Sequence, residues 1–190
     1  MGTIKLENLT IKFDETLIDN ISYEFKNKNY LIGGKNGSGK TTLMRAITDN
    51  ISYGGKIYKH KTTISYFPQE ILLFQYIKVI EFLNCINKSI NNDLIEILEI
   101  DYMNEYIKNL STGQVNKILL YITFSQKADF YIIDEIINAI DNNVKSGIVK
   151  YLSELNYGNF ILITHDKSLS DAVIENMDVK CIEIKNKKIF

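Results

Sequence analysis

The stretch GKNGSGKT, which begins at Gly34, is the feature that most constrains how this chain can fold. It fits the pattern G-x-x-x-x-G-K-[ST], with the apolar run NYLIG before it and the helical pattern KTTLMRAIT after it. Gly34, Gly37 and Gly39 let the backbone bend tightly, so that its N–H groups can converge on a phosphate. The positive end of the following helix would point at the same place. The pattern therefore predicts a nucleotide site in which Lys40 contacts the β- and γ-phosphates and Thr41 binds Mg²⁺.

Alternating strand and helix patterns predict an α/β fold with a P-loop NTPase core, as a single domain over residues 1–190. The N-terminal stretches TIKLENLTIKF and NISYEF alternate and are rich in β-branched residues, which is typical of antiparallel strands. Farther along, the apolar runs NYLIG, FYIID and NFILI are separated by helical patterns, an order typical of a mostly parallel sheet. Helical patterns between about 76 and 126 predict a short α-helical subdomain.

Two acids end one of these apolar runs, in the stretch FYIIDE. Asp134 lies where a carboxylate can hold Mg²⁺ directly or through water, and Glu135 follows, placed to polarise a water for attack on a γ-phosphate. Two acids after a strand can also be a charge pair at a helix start. Together with the phosphate-binding pattern, the acids favour a nucleotide hydrolase.

Composition excludes several other classes of protein. The formal net charge is -1, which argues against a general nucleic-acid-binding surface. The longest apolar run, ILLYITF, is too short to span a bilayer. Cys85 and Cys181 show no metal-ligand spacing and are interpreted as free thiols. The cluster KNKK, which ends at Lys188, is interpreted as a solvated tail.

Four further motifs follow in a fixed order. FPQ ends at Gln69, LSTGQ begins at Leu110, NAID ends at Asp141, and ITHD contains His165. With the phosphate loop and the two acids, this order resembles the nucleotide-binding domain of ATP-binding cassette (ABC) proteins over nearly the whole chain. LSTGQ is similar to that family's signature motif LSGGQ. Phe13 lies where the family often has an aromatic residue that stacks on adenine.

The resemblance implies ATP and Mg²⁺ as cofactors and a role for each motif. The residues implied in catalysis are Glu135, His165, Lys40 and Gln69. The residues implied as Mg²⁺ ligands are Thr41, Gln69 and Asp134. The residues implied in ATP binding are Phe13, Gly34, Lys35, Asn36, Gly37, Ser38, Gly39, Lys40, Thr41, Thr42, Ser111, Gly113, Gln114 and Asp141.

The resemblance also implies partners. Two such domains pair head to tail, so that Ser111 and the N–H groups around Gly113 contact the ATP held by the facing chain. Arg45 is the only arginine in the chain, so the γ-phosphate charge must be met by Lys40, Mg²⁺, His165 and the partner's helix start. Intact motifs favour a homodimer.

The leading interpretation is the ATPase subunit of an ABC transporter. It would lie on the cytoplasmic face of the cell membrane and drive a separate integral membrane subunit, docked near Leu73, Phe74 and Tyr76. IKVIEFLN is similar to segments of drug, antibiotic or peptide exporters, so peptide or antibiotic export is the finer prediction. The alternatives are a soluble ABC ATPase in cofactor assembly or DNA repair, and an ATP-binding scaffold without turnover, which intact Glu135 and His165 disfavour.

The chain departs from the family pattern at two positions. Thr112 replaces the first of the two glycines usual in the signature, and a β-branched residue there stiffens the turn. Ile136 replaces the proline that usually follows the glutamate, which loosens that turn. Both changes bear on the rate of turnover.

Overall fold

The computed structural model describes residues 2–66, 74–86, 89–135 and 139–190. Strands and helices alternate through these ranges. The strands are β1 (Thr3–Lys12), β2 (Thr16–Phe25), β3 (Asn29–Gly33), β4 (Gly54–His60), β5 (Ile64–Tyr66), β6 (Phe130–Asp134), β7 (Asn159–Ile163), β8 (Val179–Lys185) and β9 (Lys188–Ile189). The helices are α1 (Lys40–Ile47), α2 (Val79–Ile86), α3 (Asn92–Ile97), α4 (Thr112–Ser125), α5 (Asn142–Ser153), α6 (Lys167–Asn176) and a 3-10 turn at Ile107–Asn109.

The strands form two sheets. An N-terminal antiparallel sheet has the order β2-β1-β4, and a six-stranded sheet has the order β5-β6-β7-β3-β8-β9. In the larger sheet β3, β5, β6, β7 and β8 are parallel, and only β9 pairs antiparallel, as a hairpin with β8. The predicted α/β fold with a mostly parallel sheet and an antiparallel N-terminal part is confirmed.

Helix α1 belongs to the hydrophobic core that joins the two sheets. Its buried residues Leu43, Met44 and Ile47 share one cluster with Ile4 of the antiparallel sheet and Ile161 of the parallel sheet. Full burial of one such side chain contributes about 1.5 to 3 kcal/mol. Because this core fixes α1, it also fixes the loop that leads into it from the carboxyl end of β3.

Helices α2 to α6 contribute to a second core. α4 packs against β5 and β6 of the sheet, and α3 contacts both α4 and α5. The predicted core positions Tyr121 and Phe124 on α4 are buried, and the Tyr121 hydroxyl accepts a hydrogen bond from the Asn91 N–H at 2.8 Å. None of the helices in the described ranges is long and apolar enough to cross a membrane.

Three secondary-structure predictions need correction. Residues 76–108 are only partly helical, because α3 ends before Glu99, whose φ is 50°, and the chain then turns back. α6 has no counterpart in the sequence-based assignment. KNKK is exposed at Lys185, Asn186 and Lys187 as predicted, but it is not a tail: it forms the turn of the β8–β9 hairpin, where Lys188 Nζ donates to the Asp19 carbonyl at 2.6 Å. The single-domain and 76–126 subdomain boundaries stay predictions.

Candidate nucleotide-binding site

The loop between β3 and α1 has the backbone conformation that its glycines permit. Gly34, Gly37 and Gly39 have φ values of 136°, 76° and 97°, in the region that glycine adopts without strain. A Cβ on Gly34 would lie 2.6 Å from the Ile184 carbonyl oxygen of β8, so no other residue fits there. Gly39 is the residue before α1, which begins at Lys40.

Lys40 is buried, with 4% of its surface exposed. Its Nζ donates to the carbonyl oxygens of Gly34 at 3.0 Å and Lys35 at 3.1 Å, and so holds the loop closed. An ammonium in a loop of converging N–H groups creates a positive concavity, which suits a phosphate.

The hydroxyl of Ser38 is buried and has no hydrogen-bond partner within the described part of the chain. A buried polar atom without a partner costs about 1 to 3 kcal/mol, but Ser38 is not among the residues that line the cleft above the loop. The cleft above the loop has a volume of about 280 Å³. It is lined by Leu17, Asn36, Gly37, Gly39, Lys40, Thr41, Thr42 and Glu135.

Two side-chain oxygens meet beside this cleft, from residues 93 positions apart in the chain. The Thr41 hydroxyl donates to Asp134 Oδ1 at 3.1 Å. Burial raises the pKa of Asp134, the hydrogen bond from Thr41 opposes that rise, and the nearby Glu135 charge adds to it. A hydroxyl and a carboxylate side by side fit Mg²⁺, which prefers oxygen ligands, and a cation there would keep Asp134 ionised.

Glu135 and His165 form a pair at the ends of adjacent parallel strands. Asp134 of β6 is in register with Ile163 of β7, and the Glu135 N–H donates to the Ile163 carbonyl at 2.9 Å. Glu135 has φ 54°, a left-handed conformation that turns its side chain out of the strand direction. His165 Nε2 lies 3.0 Å from Glu135 Oε1. The two candidate catalytic groups therefore touch at the mouth of the cleft.

The LSTGQ segment forms the start of α4. Ser111 caps the helix: its Oγ accepts from the Gln114 N–H at 3.2 Å, and Gln114 Oε1 accepts from the Ser111 N–H at 2.9 Å. Thr112 is the first helical residue. A Cβ on Gly113 would lie 2.7 Å from the Ala139 carbonyl, so this glycine allows close packing against the segment that leads to Asp141.

Asp141 precedes α5 and is 79% exposed at its side chain. Its carboxylate lies 3.6 Å from Nζ of Lys117, a buried lysine of α4 that is also 3.5 Å from Glu99. Sequence reasoning missed Lys117. The signal that could have found it is a single lysine at the start of an otherwise apolar helical run. A lysine buried in such a run needs charged partners, so acidic residues are expected beside it.

Other predicted site residues lie elsewhere. Phe13 is in the β1–β2 connection, 57% exposed, and is not among the residues that line the cleft. Leu17 lines the cleft instead, and no sequence pattern singled it out, because it is one apolar residue among many in β2. Gln69 and Ile136 lie outside the described residues, as does Leu73.

Comparison with known proteins agrees with this geometry. The family model described as ABC transporter matches residues 18–138. This chain belongs to the ABC transporter family. Like other members of the family, it is an ATPase that binds ATP.

Relatives with curated names are moderately similar. The zinc import ATP-binding protein ZnuC of Wolbachia pipientis wMel is 28% identical in an alignment of 196 positions, which covers 94% of this chain and 79% of ZnuC. The ATP-binding protein Uup of Buchnera aphidicola subsp. Schizaphis graminum is 29% identical in an alignment of 206 positions. The alignment covers 100% of this chain and only 34% of Uup. The chain thus spans about a third of Uup's length.

Solved structures share the fold. A bacterial Atm1-family ABC exporter with ATP bound superposes with a TM-score of 0.81 at 15% identity, covering 100% of this chain and 38% of that one. A nucleotide-free ATP-binding cassette from an ABC transporter superposes with a TM-score of 0.75 at 20% identity, covering 100% of this chain and 90% of that one. At these identities the likeness shows the fold alone.

Proposed function

We propose that the chain hydrolyses Mg²⁺-ATP at the β3–α1 loop and uses the energy to drive a separate membrane subunit. The observation that carries the proposal is the 3.1 Å contact between Thr41 and Asp134 beside the buried Lys40. In this assignment Lys40 and the loop N–H groups hold the β- and γ-phosphates, and Thr41 and Asp134 hold Mg²⁺. The metal neutralises phosphate charge when bound.

Glu135 and His165 are proposed to act on the γ-phosphate side. Glu135 accepts a proton from the attacking water, and His165 orients that carboxylate and contacts the γ-phosphate. Their 3.0 Å separation supports the assignment, because a catalytic base held in place by a hydrogen bond from another group is a recurring arrangement in active sites. Gln69, a further predicted ligand of Mg²⁺, stays a prediction.

The second part of the proposal is a head-to-tail pair of identical chains. The described residues that line the cleft include none from Leu110–Gln114, and α4 packs against β5, β6 and α3. The start of α4 has N–H groups directed away from the helix and a positive dipole end. A facing copy would bring that helix start, with Ser111, Gly113 and Gln114, over the ATP, and would bring Asp141 to the same interface.

A membrane subunit is proposed to dock on three exposed aromatic residues, Phe74, Tyr76 and Tyr106, which we call the aromatic patch. Their exposed fractions are 42%, 70% and 43%. Lys108 Nζ lies 5.2 Å from the Tyr76 ring centroid and 5.9 Å from that of Tyr106. Clustered exposed aromatic side chains are typical of protein docking sites. The chain would then be peripheral on the cytoplasmic face of the membrane.

Pairing is tested with the Glu135→Gln variant, which removes the proton acceptor and keeps the shape of the side chain. We expect a monomer without nucleotide and a dimer with Mg²⁺-ATP, measured by light scattering after size exclusion. The matched control adds Ser111→Arg, which places a bulky cation at the α4 start and should return the protein to a monomer. A Glu135→Gln protein that stays monomeric in saturating ATP, with any co-purifying partner present, would count against the pair.

The membrane subunit is tested by a pull-down of tagged protein from gently solubilised native membranes. A multi-span membrane protein recovered in stoichiometric amount supports the transporter assignment, and its identity would test peptide or antibiotic export. Tyr76→Ser combined with Tyr106→Ser should abolish recovery, while Tyr157→Ser, an aromatic 43% exposed elsewhere, should not. Recovery of soluble protein alone would favour the role in cofactor assembly or DNA repair.

A further inference from the structure

An ion pair connects α5 to the residue that follows His165. Lys145 Nζ lies 2.6 Å from Asp166 Oδ2, and the two side chains are 13% and 19% exposed. Lys145 holds the pKa of Asp166 well below its usual range, with further contributions from the Ser168 hydroxyl and the Leu169 N–H. A short, largely buried, charge-assisted contact of this kind is stronger than a surface ion pair.

Asp166 also fixes the backbone on both sides of itself. Its Oδ1 accepts from the Leu169 N–H at 3.1 Å and from the Ser168 hydroxyl at 2.7 Å, which caps α6. Its own N–H donates to Thr164 Oγ1 at 3.0 Å. His165 therefore lies between two residues that are tied to each other, and the position of this three-residue segment is set largely by Asp166.

The other end of the ion pair leads to the residue proposed to face a second chain. Lys145 lies in the first turn of α5, where its N–H donates to the Asp141 carbonyl at 3.0 Å. A displacement of Asp141 would thus move the helix turn that carries Lys145. The contacts run without a gap from Asp141 through Lys145 and Asp166 to His165 and Glu135.

We propose that Lys145 is a positioning residue for ATP hydrolysis: its ion pair with Asp166 places His165 against Glu135. Lys145 touches no reacting atom in this assignment. It acts by keeping the segment that bears His165 at a fixed distance from α5. The inference rests on the proposed roles of Glu135 and His165.

The test compares Lys145→Met, which keeps the length of the side chain and removes the charge, with Lys145→Arg, which restores it. We expect Lys145→Met to lower kcat by about 10- to 100-fold with KM for ATP unchanged, since misplacement of a catalytic group by about 1 Å has effects of this size. Lys145→Arg should recover most of the loss. Lys150→Met, a second lysine along the same groove of α5, is the control and should behave like wild type.

A spectroscopic readout separates positioning from a general loss of structure. The chain has 2 histidines, so two-dimensional NMR of the imidazole groups gives one signal for His165 and one for His60. His60 lies on β4 and stacks on Tyr58, away from this site. In Lys145→Met the His165 signal should move while the His60 signal stays in place.

The outcomes are distinct. Loss of kcat together with a moved His165 signal and recovery by arginine supports the proposal. An unchanged kcat, an unmoved His165 signal, or loss of activity that arginine does not restore overturns it. If the wild-type chain showed no ATPase activity, the proposed function would fail, while the NMR comparison would still show whether Lys145 sets the position of His165.

Discussion

Substitution of Gly113 by alanine is the sharpest test of the packing between the signature helix and the segment that leads to Asp141. The added Cβ would lie 2.7 Å from the Ala139 carbonyl oxygen, which is 0.7 Å short of the 3.4 Å where ordinary van der Waals contact begins. The obstacle is backbone, so no side-chain rotation relieves it. Either the start of α4 or the segment at Ala139 must move.

Two opposing terms set the change in stability. Alanine favours a helix over glycine by up to about 1 kcal/mol. Overpacking against a fixed group costs about 1 to 3 kcal/mol. We therefore expect Gly113→Ala to lower the free energy of unfolding by about 1 kcal/mol. The effect on ATPase activity should be larger, about 10-fold or more in kcat, because the displaced segment leads into Asp141 and α5.

Gly147→Ala provides the control, since Gly147 is also helical. Its added Cβ would meet Ile97 Cγ2 at 3.3 Å and the Ile97 carbonyl at 3.5 Å, so it nearly fits. This variant should match or exceed wild-type stability in urea denaturation and keep wild-type kcat. If Gly113→Ala were as stable and as active as Gly147→Ala, the close packing of Gly113 on Ala139 would contribute neither to stability nor to ATPase activity.

Three further predictions follow from single contacts. Thr41→Val removes the hydroxyl beside Asp134 and should lower Mg²⁺-dependent kcat by roughly 10- to 100-fold, whereas Thr41→Ser should keep most of it; steady-state ATPase assays at varied Mg²⁺ decide. Tyr121→Phe leaves the Asn91 N–H unpaired and should cost about 1 kcal/mol in urea denaturation without changing kcat. The pKa of Asp166 is lowered in the folded chain, so its stabilising effect is present above the ordinary pKa of about 4 and declines as pH falls toward the folded value. The difference in unfolding free energy between wild type and Asp166→Asn, about 2 kcal/mol at pH 7, should therefore begin to shrink below about pH 4.

Sequence reasoning succeeded where the determinants are local. The loop from Gly34 to Thr41 requires glycines, a lysine and a hydroxyl residue at fixed spacing, and this pattern can be recognised from the sequence alone. The strand ends at Asp134 and His165 could be placed for the same reason, since each follows a short apolar run. The 3.0 Å contact between Glu135 and His165 depends on the parallel pairing of β6 and β7. The alternation of strands and helices in the sequence already indicated a parallel sheet.

Sequence reasoning failed where distant backbone pairing overrides local periodicity. Residues 98–106 look helical, yet the N–H groups of Val79 and Ile80 donate to the carbonyls of Glu105 and Met103. That pairing holds the segment in an extended turn against the start of α2. The α6 helix was a missed signal of a different kind, because Asp166 followed by Leu169 and Val173 has the cap and spacing of a helix start.

The groups assigned to ATP already have partners within the chain, and this determines what nucleotide binding must do. Lys40 is bound to loop carbonyls, Ser111 to the first turn of α4, and His165 to Glu135. Contact with phosphate would exchange these bonds for others, so each group contributes only the difference between the bonds lost and the bonds gained, which is largest for the Lys40 ammonium because phosphate is charged and a carbonyl is not. Ser38 has a buried hydroxyl with no partner in the described part of the chain, but it is not among the residues that line the cleft. Affinity for ATP should therefore depend most on Lys40 and the loop N–H groups, while Ser111 becomes decisive only when a second chain closes over the site.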